Sequence, residues 1–238
     1  MKMTEPNPSE ALDLYAKVED LLGVKEAAPR LYAHYLLALQ SLEFGSLLDV
    51  GCGSGDFLKA MQGAFPEAEF SGIDLSPEMV RRARKQGVEA HCSDLCELPG
   101  RYDVITCVFD MLNYLSDEEL VPFLHCLKER LNPNGVLLCD LNTLYGFEEV
   151  AVGAFVAEDE GRFVAIESEF EAGIYRADFT LFEKEGACWR KSEGTIRQYY
   201  RSPEKIAEVL GAEILLRDPV SLYTETPDKL FLAFAPRP

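Results

Sequence analysis

The distribution of apolar positions divides the chain into a helical beginning and a long region of alternating elements. Apolar residues recur at intervals of three and four over residues 1–45, which predicts amphipathic helices there. From residue 46 onward, short apolar runs alternate with segments of helical spacing. The runs predict strands at 46–50, 69–74, 88–92, 102–108 and 136–141, and the segments between them predict helices at 56–63, 77–85 and 117–130.

This alternation predicts βαβ units, and therefore an α/β fold with a parallel sheet that is covered by helices on both faces. The run 136–141 is apolar almost throughout, as expected for a parallel strand that is buried on both faces. Ser116 and Glu119 have the spacing of a capping box at the start of helix 117–130. Pro122 lies beyond the first turn of that helix, so we expect a local kink or a later start.

A different pattern begins near residue 145. Apolar and polar residues alternate with a period of two between residues 161 and 200, which predicts an antiparallel sheet inserted into the α/β core. Ala172-Gly173 and Glu185-Gly186 have the composition of hairpin turns. The predicted strands are 163–171, 174–182 and 188–200.

The last segment returns to the pattern of the core. Ser202-Pro203 opens a predicted helix that ends at Gly211, and strands are predicted at 213–218 and 230–235. We therefore divide the chain into three segments. They are 1–144 for the N-terminal helices and the cofactor-binding α/β core, 145–201 for the antiparallel insertion, and 202–238 for the remainder of the core.

The chain is strongly acidic, with 23 Lys and Arg against 41 Asp and Glu and a formal net charge of −18. Affinity for phosphate backbones and anionic lipids depends on Lys and Arg, so nucleic-acid and membrane partners are disfavoured. No apolar run approaches the roughly 20 residues of a membrane helix, and the N-terminus lacks the apolar segment of a secretory signal. We expect a cytoplasmic protein.

The seven cysteines form no CxxC pair, and an odd number cannot pair completely within one chain. This usage is typical of a reducing compartment. His91, Cys92 and Cys96 have no second group of ligands that would complete a tetrahedral site. We therefore predict no metal.

A glycine-rich turn follows the first predicted strand, with the spacing Gly51-x-Gly53-x-Gly55. Glycines permit a tight turn and the close approach of a ligand to the backbone. Dinucleotide enzymes use G-x-G-x-x-G and place pyrophosphate on the helix N-terminus, but here Asp56 occupies the position of the third glycine. Together with Asp49, it would repel phosphate. The turn therefore favours a cationic ligand without phosphate, and S-adenosylmethionine (SAM) fits this description.

Further carboxylates end the second strand and follow the third, at the edge of the sheet where ligands bind in open α/β folds. Asp74 has the position of a residue that accepts hydrogen bonds from both ribose hydroxyls, and Asp94 that of an acceptor for the adenine amino group. We expect Leu75, Met79 and Leu95 to supply apolar contacts to the purine.

These segments resemble the successive motifs of class I SAM-dependent methyltransferases. The resemblance covers about residues 45–145 and includes LLDVGCGSG, FSGIDLSPEMV, HCSDL, YDVITCVFDMLNYL and LNPNGVLLCDLNT. Within the superfamily, the chain is similar to bacterial small-molecule methyltransferases, which include amino-sugar N-methyltransferases. The resemblance implies a Rossmann-like, doubly wound sheet of seven strands with the last strand antiparallel. It also implies SAM as cofactor and S-adenosylhomocysteine (SAH) as product.

The resemblance also implies roles for individual residues. Asp74 would hold the ribose, and Asp94 with Leu95 the adenine. Val108 and Phe109 would lie beside the sulfonium, and Tyr15 is our candidate for an N-terminal aromatic residue that closes over the cofactor. The residues expected to cradle the amino-acid end are Asp49, Gly51, Cys52, Gly53 and Gly55.

Candidates for contact with the methyl acceptor follow the fourth strand. Asp110 is suited to hold or deprotonate an amine, and Tyr114 to orient the nucleophile, with Asn113 as a third candidate. Alternatively, Asp110 and Asn113 cap the loop and Tyr114 belongs to the core. The segment lacks the Asn/Asp-Pro-Pro-Tyr/Phe motif of enzymes that methylate exocyclic amines of adenine, which again disfavours a nucleic-acid substrate.

We therefore predict a methyltransferase that acts on a small molecule by in-line displacement, with the acceptor atom (N, O or C) left open. The alternatives are an NAD-dependent oxidoreductase of similar sheet architecture and a SAM-binding protein without catalysis. The antiparallel insertion is expected to cover the active site or to mediate a homodimer.

Overall fold

A computed structural model describes residues 8–237, with side chains from residue 12 onward. The helices are α1 (Pro8–Tyr15), α2 (Val24–Gln40), α3 (Asp56–Gln62), α4 (Pro77–Lys85), α5 (Asp117–Arg130) and α6 (Pro203–Leu210). The strands are β1 (Ser46–Val50), β2 (Glu69–Asp74), β3 (Ala90–Cys92), β4 (Tyr102–Cys107), β5 (Leu131–Asn142), β6 (Gly153–Glu158), β7 (Arg162–Glu171), β8 (Ile174–Glu185), β9 (Cys188–Tyr199), β10 (Ala212–Val220) and β11 (Lys229–Pro236). Predicted helical residues 1–7 lie outside the described residues.

The larger sheet has seven strands in the order β10-β11-β5-β4-β1-β2-β3. Strands β1 to β5 run parallel to one another, whereas β11 is antiparallel to both β5 and β10. This arrangement confirms the predicted doubly wound sheet with an antiparallel last strand. The carboxyl ends of β1, β2 and β4 therefore meet at one edge, where the glycine turn and the candidate site residues lie.

Capping residues set the starts of three helices. Ser76 and Ser202 each accept a hydrogen bond from a backbone N–H in the first turn, and a proline follows each of them at the first helical position. Ser116 and Glu119 form the predicted capping box. Helix α5 begins directly after Ser116 with Pro122 inside it, so the expected later start is wrong. The box satisfies the first N–H groups, and a proline six positions in does not move the start.

The smaller sheet has four antiparallel strands in the order β6-β7-β8-β9 and lies within the predicted insertion 145–201. Two of its three hairpins turn at the predicted positions, where Ala172, Gly173 and Gly186 adopt positive φ, and the third joins β6 to β7 at residues 159–161. The prediction missed β6, an edge strand whose residues are almost all exposed. Burial therefore left no alternating pattern to find in it.

The N-terminal segment connects the smaller sheet to the cofactor side of the larger one. Leu14 and Val18 pack against the inner face of the smaller sheet, and Arg162 on β7 donates to Asp20 at 2.8 and 2.9 Å and to the Lys17 carbonyl at 2.5 Å. On the other side, Ser76 donates to Asp13 at 2.8 Å. The segment thus spans the cleft between the two sheets.

The structure contains one feature that the cysteine pattern did not predict. Cys96, in the loop after β3, forms a disulfide with Cys126 in α5. Because Cys96 is bonded to sulfur, it is not available as the metal ligand considered above. Within residues 8–237, no helix combines the length and the apolar composition that crossing a membrane requires. The cytoplasmic location stays a prediction.

Candidate active site

The glycine turn after β1 is bonded to the end of β2. The N–H groups of Gly51 and Cys52 both donate to the Ile73 carbonyl, at 2.8 and 2.9 Å. The three glycines of the turn have φ values of 75°, 52° and 83°, which side-chain-bearing residues rarely adopt. Cys52 is buried against Gly72, where a β-carbon would lie 2.7 Å from the cysteine side chain. The turn therefore presents backbone and not side chains to the edge of the sheet.

Asp74 lies beside this turn, as predicted for the ribose-binding carboxylate. Its Oδ2 accepts the N–H of Gly53 at 2.9 Å and its Oδ1 accepts the N–H of Ser76 at 2.8 Å. These two bonds fix the orientation of the carboxylate and leave one acceptor position on each oxygen. The side chain is half-buried, and this burial raises its pKa. A pair of hydroxyl groups matches the two remaining acceptor positions.

The predicted purine contacts divide into open and buried side chains. Asp94 is exposed, and its Oδ1 accepts the N–H of Cys96 at 2.7 Å. Leu75, which follows Asp74 in sequence, is 67% exposed, whereas Met79 is buried. Leu95 is also buried, in the core cluster that includes the apolar side of α5. The side chain of Leu95 therefore anchors the loop, and only its backbone remains to face a ligand.

Asp49 at the end of β1 is almost fully buried. Its Oδ1 accepts a hydrogen bond from the Thr106 hydroxyl at 2.6 Å. Burial raises the pKa of Asp49 to about 7, and the charges of Asp74 and Asp140 add to this effect, whereas Thr106 opposes it. A cation placed next to Asp49 would favour its ionised form.

Tyr32 on α2 was missed by the sequence analysis. Its ring makes edge contacts with Phe57 and Phe109, with centroids 5.3 and 6.0 Å away. Burial raises the pKa of its phenol, and the charges of Asp49, Asp56 and Glu19 raise it further. The ring therefore lies between α3, which follows the glycine turn, and the turn after β4. Its position in a helical pattern of apolar residues gave no signal that distinguished it from core tyrosines such as Tyr35.

The chain leaves β4 through two residues in the left-handed region. Phe109 and Asp110 have φ values of 56° and 51°. The carboxylate of Asp140 holds this turn, because it accepts the N–H of Phe109 and the N–H of Asp110, each at 2.8 Å. It also accepts the hydroxyl of Tyr35 at 2.7 Å. Asp140 is fully buried on β5, and it stabilises a backbone that non-glycine residues rarely adopt.

Lys229 at the start of β11 joins the two carboxylates of this region. Its ammonium is bonded to Asp110, lies 3.5 Å from Asp140, and donates to Asn142 at 3.0 Å. Burial alone would lower the pKa of Lys229, but the charges of Asp110 and Asp140 outweigh it and the pKa lies above its ordinary value. The buried group thus consists of two carboxylates and one ammonium. Burial raises the pKa of Asp140, and Lys229 opposes that effect.

Three donors occupy the carboxylate of Asp110. Its Oδ2 accepts from Gln198 at 2.5 Å and from Asn142 at 3.1 Å, and its Oδ1 accepts from Lys229. A carboxylate has about four acceptor positions, so one on Oδ1 remains. Gln198 comes from β9, which means that the smaller sheet contributes directly to this group.

Asn113 and Tyr114 occupy different surroundings, although they are neighbours in sequence. Asn113 is fully buried, donates to the Tyr199 carbonyl at 2.8 Å and accepts the N–H of Asn142 at 3.0 Å. It therefore joins three elements, and the structure corresponds to the loop-capping alternative for this residue. Tyr114 is half-buried. Burial raises its pKa well above the ordinary value, and Asp110 and Tyr15 raise it further.

The charge of Asp110 is felt by four tyrosine phenols. The charge of this carboxylate raises the pKa of each of them, in addition to burial, and for Tyr223 the pKa reaches about 12. They come from α1, from the turn after β4, from β8 and from the loop before β11: Tyr15, Tyr114, Tyr175 and Tyr223. Three of them also pack against the apolar cluster under the smaller sheet. Tyr15 lies in this cluster, with its ring edge-on to Phe179.

Sequence reasoning missed several members of this site. Lys229, Gln198 and Asn142 reach Asp110 from distant parts of the chain, and no local pattern marks them. Asp140 did carry a signal, because it is a carboxylate within the otherwise apolar run of β5. A buried carboxylate needs partners, so such a position indicates a polar network.

Comparison with known proteins gives a consistent result. Residues 47–135 match a family model described as a methyltransferase domain. The ubiquinone biosynthesis O-methyltransferase of Xanthomonas campestris pv. campestris is 35% identical over 132 residues, which are 50% of this chain and 53% of that protein. The chain spans about half the length of the curated relatives it matches.

Two solved structures share the fold over most of their length. A SAM-bound amino pentose methyltransferase from Micromonospora echinaspora is 27% identical with a TM-score of 0.64, covering 88% of this chain and 90% of that one. A sugar N-methyltransferase from Streptoalloteichus sp ATCC 53650 is 20% identical with a TM-score of 0.75, covering 100% and 97%. The second likeness shows the fold, including the antiparallel sheet and the terminal strands.

Proposed function

We propose that the chain is a class I SAM-dependent methyltransferase, which binds SAM and transfers the methyl group to a small-molecule acceptor. The carboxylates around the glycine turn carry this proposal. Asp49 and Asp56 flank the glycine turn where a dinucleotide enzyme would hold pyrophosphate, so the site is suited to a cation and unsuited to NAD. This arrangement favours a methyltransferase over an oxidoreductase.

The residues present fit SAM part by part. The accessible backbone of Gly51 and Gly53 suits close approach of the amino-acid end, whereas Gly55 is buried against Ala83 and Val88. The two open acceptor positions of Asp74 suit the ribose hydroxyls. Asp94 is exposed and able to accept the adenine amino group. When bound, SAM supplies a methyl group on a sulfonium that is activated for displacement.

We place the acceptor at Asp110, and we infer that it is an amine. The carboxylate has one open acceptor position, and that position suits an N–H of the acceptor. The two solved relatives are described as a sugar N-methyltransferase and an amino pentose methyltransferase, whereas the Xanthomonas relative is an O-methyltransferase.

Asp110 is better suited to orient an amine than to remove its proton. Lys229, Gln198 and Asn142 already occupy three of its acceptor positions and fix its orientation, which suits it to hold an N–H in place. In-line displacement depends mainly on the placement of the nucleophile, and one hydrogen bond from N–H to Asp110 directs the nitrogen lone pair. The proton of the product ammonium then leaves to solvent. Asn113 acts as a positioning residue, since it contacts backbone only.

The test combines binding and transfer. Calorimetric titration with SAH, with NAD⁺ as control, examines the cofactor. Tritium transfer from methyl-labelled SAM to D-glucosamine and to D-glucose then compares an amine with the matched alcohol. We expect saturable binding of SAH and no binding of NAD⁺. In a wider panel of matched amine and alcohol pairs, we expect the amines to be labelled. Binding of NAD⁺ alone would contradict the cofactor, and SAH binding without transfer to any acceptor would favour the non-catalytic alternative.

The proposed homodimer rests on the outer face of the smaller sheet. The N-terminal segment covers the inner face. Val156 and Trp189 lie on the outer face and are 58% and 51% exposed. Sedimentation equilibrium of the wild type and of a Trp189→Glu variant examines this proposal. A monomer in both would contradict it.

A further inference from the structure

The Cys96–Cys126 disulfide joins the loop after β3 to the helix α5. The two cysteines are 30 residues apart in sequence, and their Cα atoms are 5.1 Å apart. Cys96 lies two residues after Asp94, and its N–H donates to the Asp94 Oδ1 at 2.7 Å. The position of this carboxylate therefore depends directly on the position of the cysteine backbone.

Few other interactions restrain the loop. Strand β3 has three residues and lies at the edge of the larger sheet, where it pairs with β2 alone. Beyond the disulfide, Leu95 packs into the core cluster that contains the apolar side of α5, and Arg130 donates to the Cys96 carbonyl at a long 3.4 Å. The disulfide is thus the covalent link between this loop and α5, beside the packing of Leu95 and Leu98 and the hydrogen bond from Arg130.

We propose that the Cys96–Cys126 disulfide is a positioning element of the cofactor site, which holds Asp94 in place for the adenine amino group so that reduction weakens SAM binding. This inference rests on the proposed function, because Asp94 has an adenine to hold only if the chain binds SAM. Cofactor affinity would then follow the thiol–disulfide balance of the surroundings.

The chemical step is an exchange with a dithiol. Cys96 is exposed, so a thiolate of the dithiol attacks its sulfur, the S–S bond breaks and Cys126 leaves as a thiolate that takes up a proton. The second thiol of the reagent then displaces Cys96 and forms the disulfide of the reagent. Two electrons pass from the dithiol to the protein, and both cysteines end as thiols.

The first experiment measures SAH affinity in both redox states of the full chain. Alkylation under denaturing conditions and mass spectrometry should count the five free cysteines in the oxidised protein and all seven after dithiothreitol. We expect SAH to bind about tenfold more weakly after reduction, as for the loss of one hydrogen bond to a charged group. A Cys126→Ser variant should bind as weakly as the reduced protein. Cys188→Ser, at an exposed free cysteine in the smaller sheet, is the matched control and should respond to dithiothreitol as the wild type does.

A second ligand separates positioning of Asp94 from a general loosening of the site. S-inosylhomocysteine carries a carbonyl where SAH carries the adenine amino group. If the disulfide acts through Asp94, reduction should not change the affinity for this analogue, and an Asp94→Ala variant should bind SAH equally in both redox states.

The outcomes distinguish this inference from the proposed function. If oxidised wild type fails to bind SAH, the proposed function is wrong and the inference falls with it. Equal SAH affinity in both states, with reduction confirmed by mass, would overturn the inference alone. An equal loss for SAH and S-inosylhomocysteine would also overturn it, because the disulfide would then act on the whole site. Seven free thiols in protein purified without reductant would contradict the disulfide itself.

Discussion

The carboxylate of Asp140 accepts the backbone N–H of Asp110 at 2.8 Å, and it accepts the neighbouring N–H of Phe109 at the same distance. A fully buried side chain on β5 thus fixes the turn that carries the candidate acceptor-binding carboxylate. Since both residues of the turn have positive φ, their conformation depends on these bonds.

Replacing Asp140 with Ala should destabilise the protein by about 3–5 kcal/mol, because it leaves two N–H groups, the Tyr35 hydroxyl and part of the Lys229 charge without a partner. Urea denaturation followed by circular dichroism measures this loss. Glu67→Ala, at an exposed carboxylate, is the control and should change stability by less than about 0.5 kcal/mol. A loss below about 1 kcal/mol for Asp140→Ala would contradict the role of Asp140.

Replacing Lys229 with Met should cost about 3–5 kcal/mol, since it leaves Asp110 and Asp140 buried without a cation. The double variant Asp110→Asn/Lys229→Met removes one of the two charges and should recover part of that stability. A double-mutant cycle from urea denaturation measures the coupling. Additive losses would show that Lys229 and Asp110 do not act on each other.

Asp49 should make stability decrease with pH. Its pKa is raised to about 7 in the fold, so its favourable contribution is complete below the unfolded pKa near 4 and is lost as pH rises through 7. The wild type should therefore lose on the order of 2–4 kcal/mol relative to Asp49→Asn between pH 4 and pH 8. Urea midpoints of both proteins at several pH values measure the difference. Parallel curves would indicate that Asp49 is ionised throughout.

Asp49 should also make SAM binding depend on pH. The sulfonium favours the ionised carboxylate, so SAM affinity should increase from pH 6 to pH 8. SAH lacks this charge and should respond less. Calorimetry in parallel with both ligands makes the comparison, and an identical pH dependence would place the sulfonium away from Asp49.

Replacing Asp74 with Ala should weaken SAH binding by about 1–3 kcal/mol, the usual cost of leaving hydrogen-bonded groups unpaired. Calorimetric titration measures this, with Glu67→Ala as control. Unchanged affinity would mean that the ribose is held elsewhere.

Much of the fold could be predicted because it depends on local patterns. The apolar runs of β1 and β2 and the capping residues of α4 are contiguous in sequence, and their predicted bounds agree with the structure. Strand β6 could not be predicted, since its two faces are both exposed and leave no alternation.

The carboxylates proposed to hold the cofactor could be predicted from the sequence, whereas the partners of Asp110 at the proposed acceptor site could not. Asp49 and Asp74 lie at the ends of predicted strands next to a recognisable turn. Lys229 and Gln198 reach Asp110 from 119 and 88 residues away, through pairings of strands that no local pattern encodes. The disulfide was hidden for the same reason, because its geometry depends on how the loop after β3 packs on α5.

The separation between Asp110 and Lys229 has a consequence for synthesis on the ribosome. Both carboxylates of the buried group leave the exit tunnel well before the ammonium that balances them, since Lys229 follows Asp110 by 119 residues. By the time both carboxylates have been synthesised, strands β1 to β5 are nearly complete, but β11, which pairs with β5, has not yet been made. A nascent chain halted before residue 229 holds two uncompensated charges and lacks its antiparallel strand. The proposed acceptor site is therefore complete only after β11 has been synthesised. Any product that stops earlier exposes an open sheet edge to quality-control proteases.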